Sequence, residues 1–310
     1  MGFSDLGDRA IVGRIVLALE ETQPPAWVND IAMRVSSDVE TETYRWLAST
    51  PAMRQWDGPR HATRLEVFEQ TIRNLPYEAS LELMRSELRR DKTGQIQLRI
   101  NDLATRAQQH WAKLLSTVIE AGNATVSYDG SNFFADAHSS GSSGVQDNNL
   151  TSNFVNHLAP TAAEMEGAII DCIEALLGFN DTEGEPMNQD MSNLMVMCPT
   201  SMFSAANAAI SNATITDGSG ARTNVLAGIA GFSLNLVVNP RLANDGRFYV
   251  FRTDSAVKPY IAQEETTPTV EVLGEGSDFA FANDAHQYGV HVSHAVGQAI
   301  WQHAVLYTAT

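Results

Sequence analysis

RLEVFEQTIRNLPYEASLELMR, residues 64–85, alternates charged or polar side chains with apolar ones on both sides of the break Asn74-Leu75-Pro76. Its second half puts Tyr77, Ala79, Leu81 and Leu83 on one side, the period-two pattern of a half-buried strand. The two runs predict a long two-stranded hairpin, each arm spanning roughly 33 Å if about ten residues are extended. A lone hairpin of that length is not stable in water and must lie on something. The same region concentrates Arg64, Glu66, Glu69, Arg73, Glu78, Glu82 and Arg85, followed by Glu87, Arg89, Arg90 and Asp91. The signs nearly cancel. Nucleic acid favours a positive excess. Mixed signs on an extended element suit docking to another protein, where complementary charge sets register, or else a solvated hairpin.

Just upstream lies YRWLASTPAMRQWDGPR, residues 44–60. It is too wet for a core and too aromatic for a plain connection. Trp46 and Trp56 suit partly wet anchoring at an interface, Arg54 and Arg60 can pair with carboxylates, and Pro51, Gly58 and Pro59 set turns. Before it, Ile11, Ile15 and Leu19 predict an amphipathic helix over 8–21, stopped by Pro24-Pro25. Ile31, Met33 and Val35 mark a short apolar-polar segment, and SSDVETET supplies helix caps ahead of YRWLA. The opening of the chain thus reads as an arm of short pieces.

Downstream, residues 95–121 hold good helix formers without an internal Gly or Pro. Ile96, Ile100, Leu103, Ala107, Trp111, Leu114, Leu115 and Val118 recur at three and four, and Gly122 ends the run. Such a helix is about 40 Å long, a spine rather than a bundle member. Residues 125–138, TVSYDGSNFFADAH, read as strand, Asp-Gly turn, strand. A second helix over 161–178 opens on a Thr161/Glu164 capping box. NLMVMCP, FSLNLVVNP, RFYVFR and TPTVEVL read as strands, SMFSAANAAIS as a helix, and the tail from Tyr288 as strand. Segregated helices and antiparallel strands indicate an α+β fold.

The chain has 310 residues, 20 basic against 37 acidic, giving a net charge of −17. That balance argues against tight duplex binding. The acidity is uneven: residues 151–310 carry −12 and residues 1–150 only −5, so most arginines sit in the first half. Cys172 and Cys198 are too few for a disulfide framework or a zinc site and fit a reducing compartment. No run reaches the length of a membrane span and no signal peptide is read. Catalytic and metal sites find little support. His291 and His294 would point to opposite faces of a strand, and His286 and Asp284 add no chelating geometry. Asp129, Asp136 and His138 lie near Ser131 without a nucleophile elbow, and the bland reading is an Asp-Gly turn presenting Phe133 and Phe134 to packing. Neither DGSGA (217–221) nor GEGS (274–277) is a phosphate loop. Glu164, Glu166 and Glu174 read as a solvated helix face. No cofactor is expected.

Two motifs go further. YRWL…P.MRQW.G.R at 44–60 and YDG..FF…H at 128–138 resemble the major head subunit (gpT) family of Mu-like phages, with a weaker likeness through Asn149-Leu150, the 161–178 helix, LMVMCP and WQ.A near Trp301. The order of arm, hairpin, spine helix and mixed remainder is also that of the Hong Kong 97 capsid fold. The resemblance implies a shell protein rather than an enzyme: the major capsid protein of a tailed bacteriophage, enclosing packaged double-stranded DNA. Residues 1–63 would be the N-terminal arm and junction, 64–94 the extended loop, 95–159 with 271–310 the peripheral domain, and 160–270 the axial domain. Its partners would be further copies of itself in hexamers and pentamers, a portal, a separate scaffold protein, a decoration or cementing protein, and DNA contacted weakly, with no membrane. It would be a virion component assembled in the bacterial host cytoplasm. Trp46, Arg54, Trp56, Arg60, Arg64, Glu69, Arg73, Glu82, Arg85, Arg89, Arg90 and Asp91 would be the residues meeting neighbouring subunits. Lys92, Lys113 and Lys258 are the chain's three lysines, and none sits at the hairpin tip where a covalent cross-link would form. An encapsulin-like nanocompartment of the same fold, and a hydrolase using His138 or His291, are the alternatives.

Overall fold

The computed structural model describes residues 3–47, 67–90, 94–218 and 220–310; of residues 3–6, 46–47, 67–68 and 89–90 it describes the backbone. The chain opens with helix α1 (Phe3–Glu21), a short α2 (Ala26–Ile31), and strands β1 (Ala32–Ser36) and β2 (Thr41–Leu47). Strands β3 (Val67–Arg73) and β4 (Leu75–Met84) follow, then α3 (Arg85–Arg90), the long α4 (Gln95–Glu120) and β5 (Asn149–Ser152). The second half runs α5 (Ala162–Gly178), β6 (Asn193–Cys198), α6 (Phe203–Ser211), β7 (Thr214–Asp217), β8 (Gly220–Thr223), β9 (Ser233–Val238), β10 (Arg247–Arg252), β11 (Tyr260–Leu273), α7 (Asp278–Asn283), β12 (Ala285–Gln298) and β13 (Ala304–Ala309).

The strands at 67–84 are present, but they do not form the expected hairpin. β3 pairs antiparallel with β2 from Thr41↔Arg73 to Leu47↔Val67. β4 pairs antiparallel with β12 along ten residues, Met84↔Ala285 to Leu75↔His294. The reason is local. Only Asn74 separates the two strands, too short a link for a reversal. Its buried side chain donates to Val39 O at 2.9 Å, and its N–H donates to Glu40 O at 2.8 Å. The chain therefore passes from one sheet into the next. Pro76 is tolerated because β4 is the edge of the four-stranded sheet β1-β11-β12-β4. The SSDVETET stretch is likewise no helix cap: its end is the start of β2, where Thr and Tyr fit a pleated ribbon.

A five-stranded sheet, β5-β13-β10-β6-β9, lies elsewhere in the chain, with parallel pairs β5/β13 and β6/β9. It takes strands from both sides of the expected divisions at 159/160 and 270/271. The tail is correspondingly two strands, not one. β12 belongs to the four-stranded sheet and β13 to the five-stranded sheet, separated by a 3-10 turn at Trp301–His303. The β11/β12 pairing is irregular between Glu264 and Thr269, where Pro268 offers no N–H.

Two cores result. Ile11, Ile15, Ala18 and Leu19 of α1 meet Ile96, Ile100 and Leu103 of α4 over Leu83, Tyr288 and Val290 of the four-stranded sheet. The C-terminal half of α4, with Trp111, Leu115 and Ile119, joins α5 and the five-stranded sheet in the larger core. The α4 stripe thus serves both, which is why its apolar periodicity is sustained for 26 residues. The Thr161/Glu164 capping box forms as expected. Glu166, by contrast, is not on a solvated face. It is buried, ion-paired with Arg222, and accepts the Val225 N–H at 2.7 Å.

Candidate assembly surface and its supports

Residues 125–138 form one isolated antiparallel bridge, Val126↔Asn132, rather than the expected strand pair. Phe133 and Phe134 are adjacent and both fully buried. What forms is a knot. The Asp129-Gly130 turn survives, with Gly130 at φ 86° and the Ser131 N–H donating to Asp129 Oδ1 at 3.2 Å. Asp129 Oδ2 lies 2.6 Å from His138 Nδ1, and His138 Nε2 lies 3.1 Å from Asn148 Oδ1. The Asn148 amide donates to Phe133 O at 2.8 Å and Ala304 O at 3.2 Å, while its Oδ1 also accepts from Ala135 N at 2.9 Å. The His138 ring stacks on Trp301 with centroids 3.8 Å apart, and Tyr128 Oη donates to Gln302 at 2.8 Å. YDG..FF…H and WQ.A are therefore one structure: a buried polar bracket that fastens β13 to the end of α4. Gly122 belongs to it, since a Cβ there would stand 2.6 Å from the Phe134 ring.

This geometry removes His138 from the hydrolase reading. Both nitrogens of His138 are occupied, its ring is under Trp301, and it is fully buried. The ring is closed to an incoming substrate. His291 is exposed and His294 buried on the opposite face of β12. Among the described residues no group of three His, Cys, Asp or Glu side chains converges as metal ligands. Both cysteines are free and buried, and burial pushes the Cys198 thiol up to about 11. No helix among the described residues is long and apolar enough to cross a membrane.

The exposed surface of interest is the β2/β3 ribbon. Its base is seated on the four-stranded sheet. Ile72 is buried with Ile261, Ala295 and Ala299, and Tyr44 Oη donates to Gln263 Oε1 at 2.7 Å. Gly297 makes the seat possible, because a Cβ there would fall 2.3 Å from Ile72 Cδ1. Gly297→Val is expected to cost about 1–3 kcal/mol by overpacking, read as a lowered thermal midpoint, with protease cleavage appearing first in the ribbon. On the face opposite Tyr44 and Ile72 the ribbon carries exposed cross-strand pairs. Arg45 Nε meets Glu69 at 3.0 Å and Thr43 faces Thr71 at 3.4 Å, while Arg73 holds Glu40 at 2.7 Å. Exposed pairs of this kind are worth about 0–1 kcal/mol each, so they set register more than stability.

The residues expected to meet neighbours divide as follows. Glu69 and Arg73 lie on the ribbon and are paired within the chain. Glu82 is exposed on β4. Arg85 reaches His286 Nε2 at 3.3 Å and Asp284 at 3.9 Å. Arg54, Trp56, Arg60, Arg64 and Asp91 lie outside the described residues, and of Trp46, Arg89 and Arg90 only the backbone is described, with Trp46 opposite Phe68. Sequence reading missed Asp8. Its buried carboxylate accepts from His286 Nδ1 and Tyr288 Oη, both at 2.6 Å, and from the Glu275 N–H at 3.2 Å, latching α1 onto the sheet. A lone aspartate in an apolar helical stripe was its only signal.

Comparison with known proteins places this architecture. The chain is 28% identical over 114 residues to the major capsid protein of Escherichia phage Mu, and the alignment covers 37% of this chain and 37% of that protein, little more than a third of the relative's length. Among solved structures, the procapsid of bacteriophage JBD30 superposes with a TM-score of 0.55 at 20% identity, covering 97% of this chain and 75% of that one. The holo-SrpI encapsulin complex of Synechococcus elongatus gives 0.54 at 8% identity, covering 93% and 88%. Identities this low show the fold alone, an α+β capsid fold of the Hong Kong 97 type. The family is carried by sequence: over residues 17–165 and 234–310 the chain matches the model of the Mu-like prophage major head subunit gpT, and it belongs to that family.

Proposed function

We propose that this protein is the major capsid subunit of a tailed phage, many copies of which build the icosahedral head around packaged double-stranded DNA. The observation that carries this reading, beyond family membership, is the β2/β3 ribbon. A two-stranded ribbon is marginal in water, and this one has one face seated on the four-stranded sheet while the opposite face remains exposed. Apolar area buried against a second copy, at about 25 cal/mol per Å², would repay the cost of extending it. The extended loop would then be the ribbon of β2 and β3 in place of the hairpin expected over 64–94. Residues 1–31 would supply the arm, α4 and the four-stranded sheet the peripheral part, and residues 160–259 with β5 and β13 the axial part. Hexamers and pentamers would differ by small bends at the elements joining these parts. A portal, a separate scaffold protein and a decoration protein would complete a head assembled in the bacterial host cytoplasm.

The register of the ribbon supplies the test. Leu47 and Val67 are directly opposite, so residues 48–66 can be replaced by Asn-Gly, closing the ribbon with a two-residue turn. The closed variant is expected to remain a folded subunit with an unchanged circular dichroism spectrum and to yield no particles by sedimentation. Particles at the wild-type yield would defeat the reading. Nucleic acid inside particles assembled during infection separates a head from a nanocompartment holding protein cargo.

A further inference from the structure

The solvent side of α4 carries a cleft of about 290 Å³ lined by Asp102, Arg106, Gln109, His110 and Lys113, with Arg241 closing it from the loop after β9. The helical residues recur at steps of three and four, so they share one face. Asp102 neutralises Arg106 at 2.9 Å. Lys113 and Arg241 are exposed and meet no carboxylate among the described residues. In a chain with 37 acidic residues against 20 basic ones, two cations without a carboxylate partner on one cleft are notable.

His110 forms the floor. Its Nδ1 lies 2.8 Å from His294 Nε2 of β12, and the Tyr77 ring of β4 stands edge-on at 4.4 Å. Arg34 of β1 lies over Trp111 beside His294. Burial lowers the His110 pKa, and Lys113 and Arg241 lower it further. Burial is the larger cause and the two cations act in the same direction, so an anion placed in the cleft would oppose their part of the effect.

We propose that this cleft binds phosphate groups of nucleic acid, with Lys113, Arg241 and His110 making the contacts, so that this face of α4 is the one turned to the packaged DNA. The choice of DNA rests on the capsid reading above. Two or three phosphates per subunit give weak binding to one copy and a distributed grip when many copies line a shell. Each neutralised phosphate adds about −0.9 to the slope of log affinity against log salt. Because bound phosphate raises the His110 pKa, binding takes up a proton and tightens as pH falls through the range between the free and bound values.

The test uses unassembled full-length subunits and a labelled 20-base-pair duplex, followed by anisotropy from about 50 to 200 mM salt. At pH 8 the expected slope is about −2, roughly a tenfold loss over that range, and about one unit steeper at pH 5.5. Lys113→Gln with Arg241→Gln should flatten the slope to near zero while leaving the thermal midpoint unchanged, since both side chains are exposed. His110→Gln should keep the pH 8 slope and lose the pH dependence. An unchanged slope in the double variant overturns the proposal. So does a polyglutamate competitor that displaces the duplex at equal charge, which would make the cleft a protein-docking site, or inorganic phosphate binding with no duplex binding, which would leave a free-anion site. Unchanged duplex binding in variants that still form shells counts against this site alone; absence of shells with binding intact counts against the capsid reading alone.

Discussion

Asn148→Leu is expected to destabilise the subunit by about 5 kcal/mol, the largest single effect we anticipate. The residue is fully buried, and its side chain makes four hydrogen bonds, to Ala135 N, His138 Nε2, Phe133 O and Ala304 O. Leucine is near enough in volume to leave no cavity, so the cost is that of four buried polar groups without partners, at about 1–3 kcal/mol each before relaxation. Because Ala304 opens β13 and Phe133 packs at the end of α4, the loss should loosen both the five-stranded sheet and its attachment to the helix. Urea unfolding followed by tryptophan fluorescence would measure it, Trp301 being stacked on His138. A change below about 1 kcal/mol would mean that water replaces the amide without cost, and that the bracket is not what holds β13.

Asp8→Ala is the second. It strips the acceptor from His286, Tyr288 and the Glu275 N–H, and about 3–5 kcal/mol is expected from breaking a buried, hydrogen-bonded charge. The effect should be regional: α1 comes away from the sheet while the larger core, which it does not touch, persists. Hydrogen exchange over residues 3–21 should rise to near the unprotected rate, with protection of α5 unchanged. Acid should imitate the substitution. Burial pushes the Asp8 pKa up, but the hydrogen bonds from Tyr288, His286 and Glu275 outweigh it and hold the carboxyl below its ordinary value. A depressed carboxylate contributes stability that is present above the unfolded pKa, about 3.9, and is lost as pH falls through the folded one. The α1 latch should therefore hold at pH 5, begin to weaken below about pH 4 and open only as pH falls through the lower value of the folded carboxyl. Gly274 sharpens the point, since a Cβ there would lie 2.2 Å from Asp8 Oδ2, leaving the sheet turn no room for a side chain.

These two sites mark the limit of what sequence periodicity can say. The stripe of α4 and the capping box of α5 were legible because a helix is specified by neighbours three and four residues away. Strands β6, β9 and β10 were legible as apolar runs bounded by turn residues. The partner of β4 was not. Tyr77, Ala79, Leu81 and Leu83 announce a half-buried strand, yet nothing local says that it adjoins β12, about 200 residues later, rather than β3. The same gap misplaced the ribbon by one strand. The arginines and glutamates at 64–91 stood out by density, whereas their pairing, Arg45 with Glu69 and Arg73 with Glu40, depended on a register set by β2. Buried polar residues were the hardest. Glu166, Asp8 and Asn148 look like surface residues in sequence, and only their distant partners make them structural. The likeness of 128–138 and 301–304 to one family was visible as two separate motifs. Their contact through His138, Trp301 and Asn148 explains why they occur together.

The most direct test of the capsid reading is electron microscopy of the purified full-length chain beside the ribbon-closed variant. The account predicts closed, uniform shells from the first and dispersed folded subunits from the second. Dispersed subunits from both, at every salt and protein concentration and with lysate of an infected host present, would contradict it.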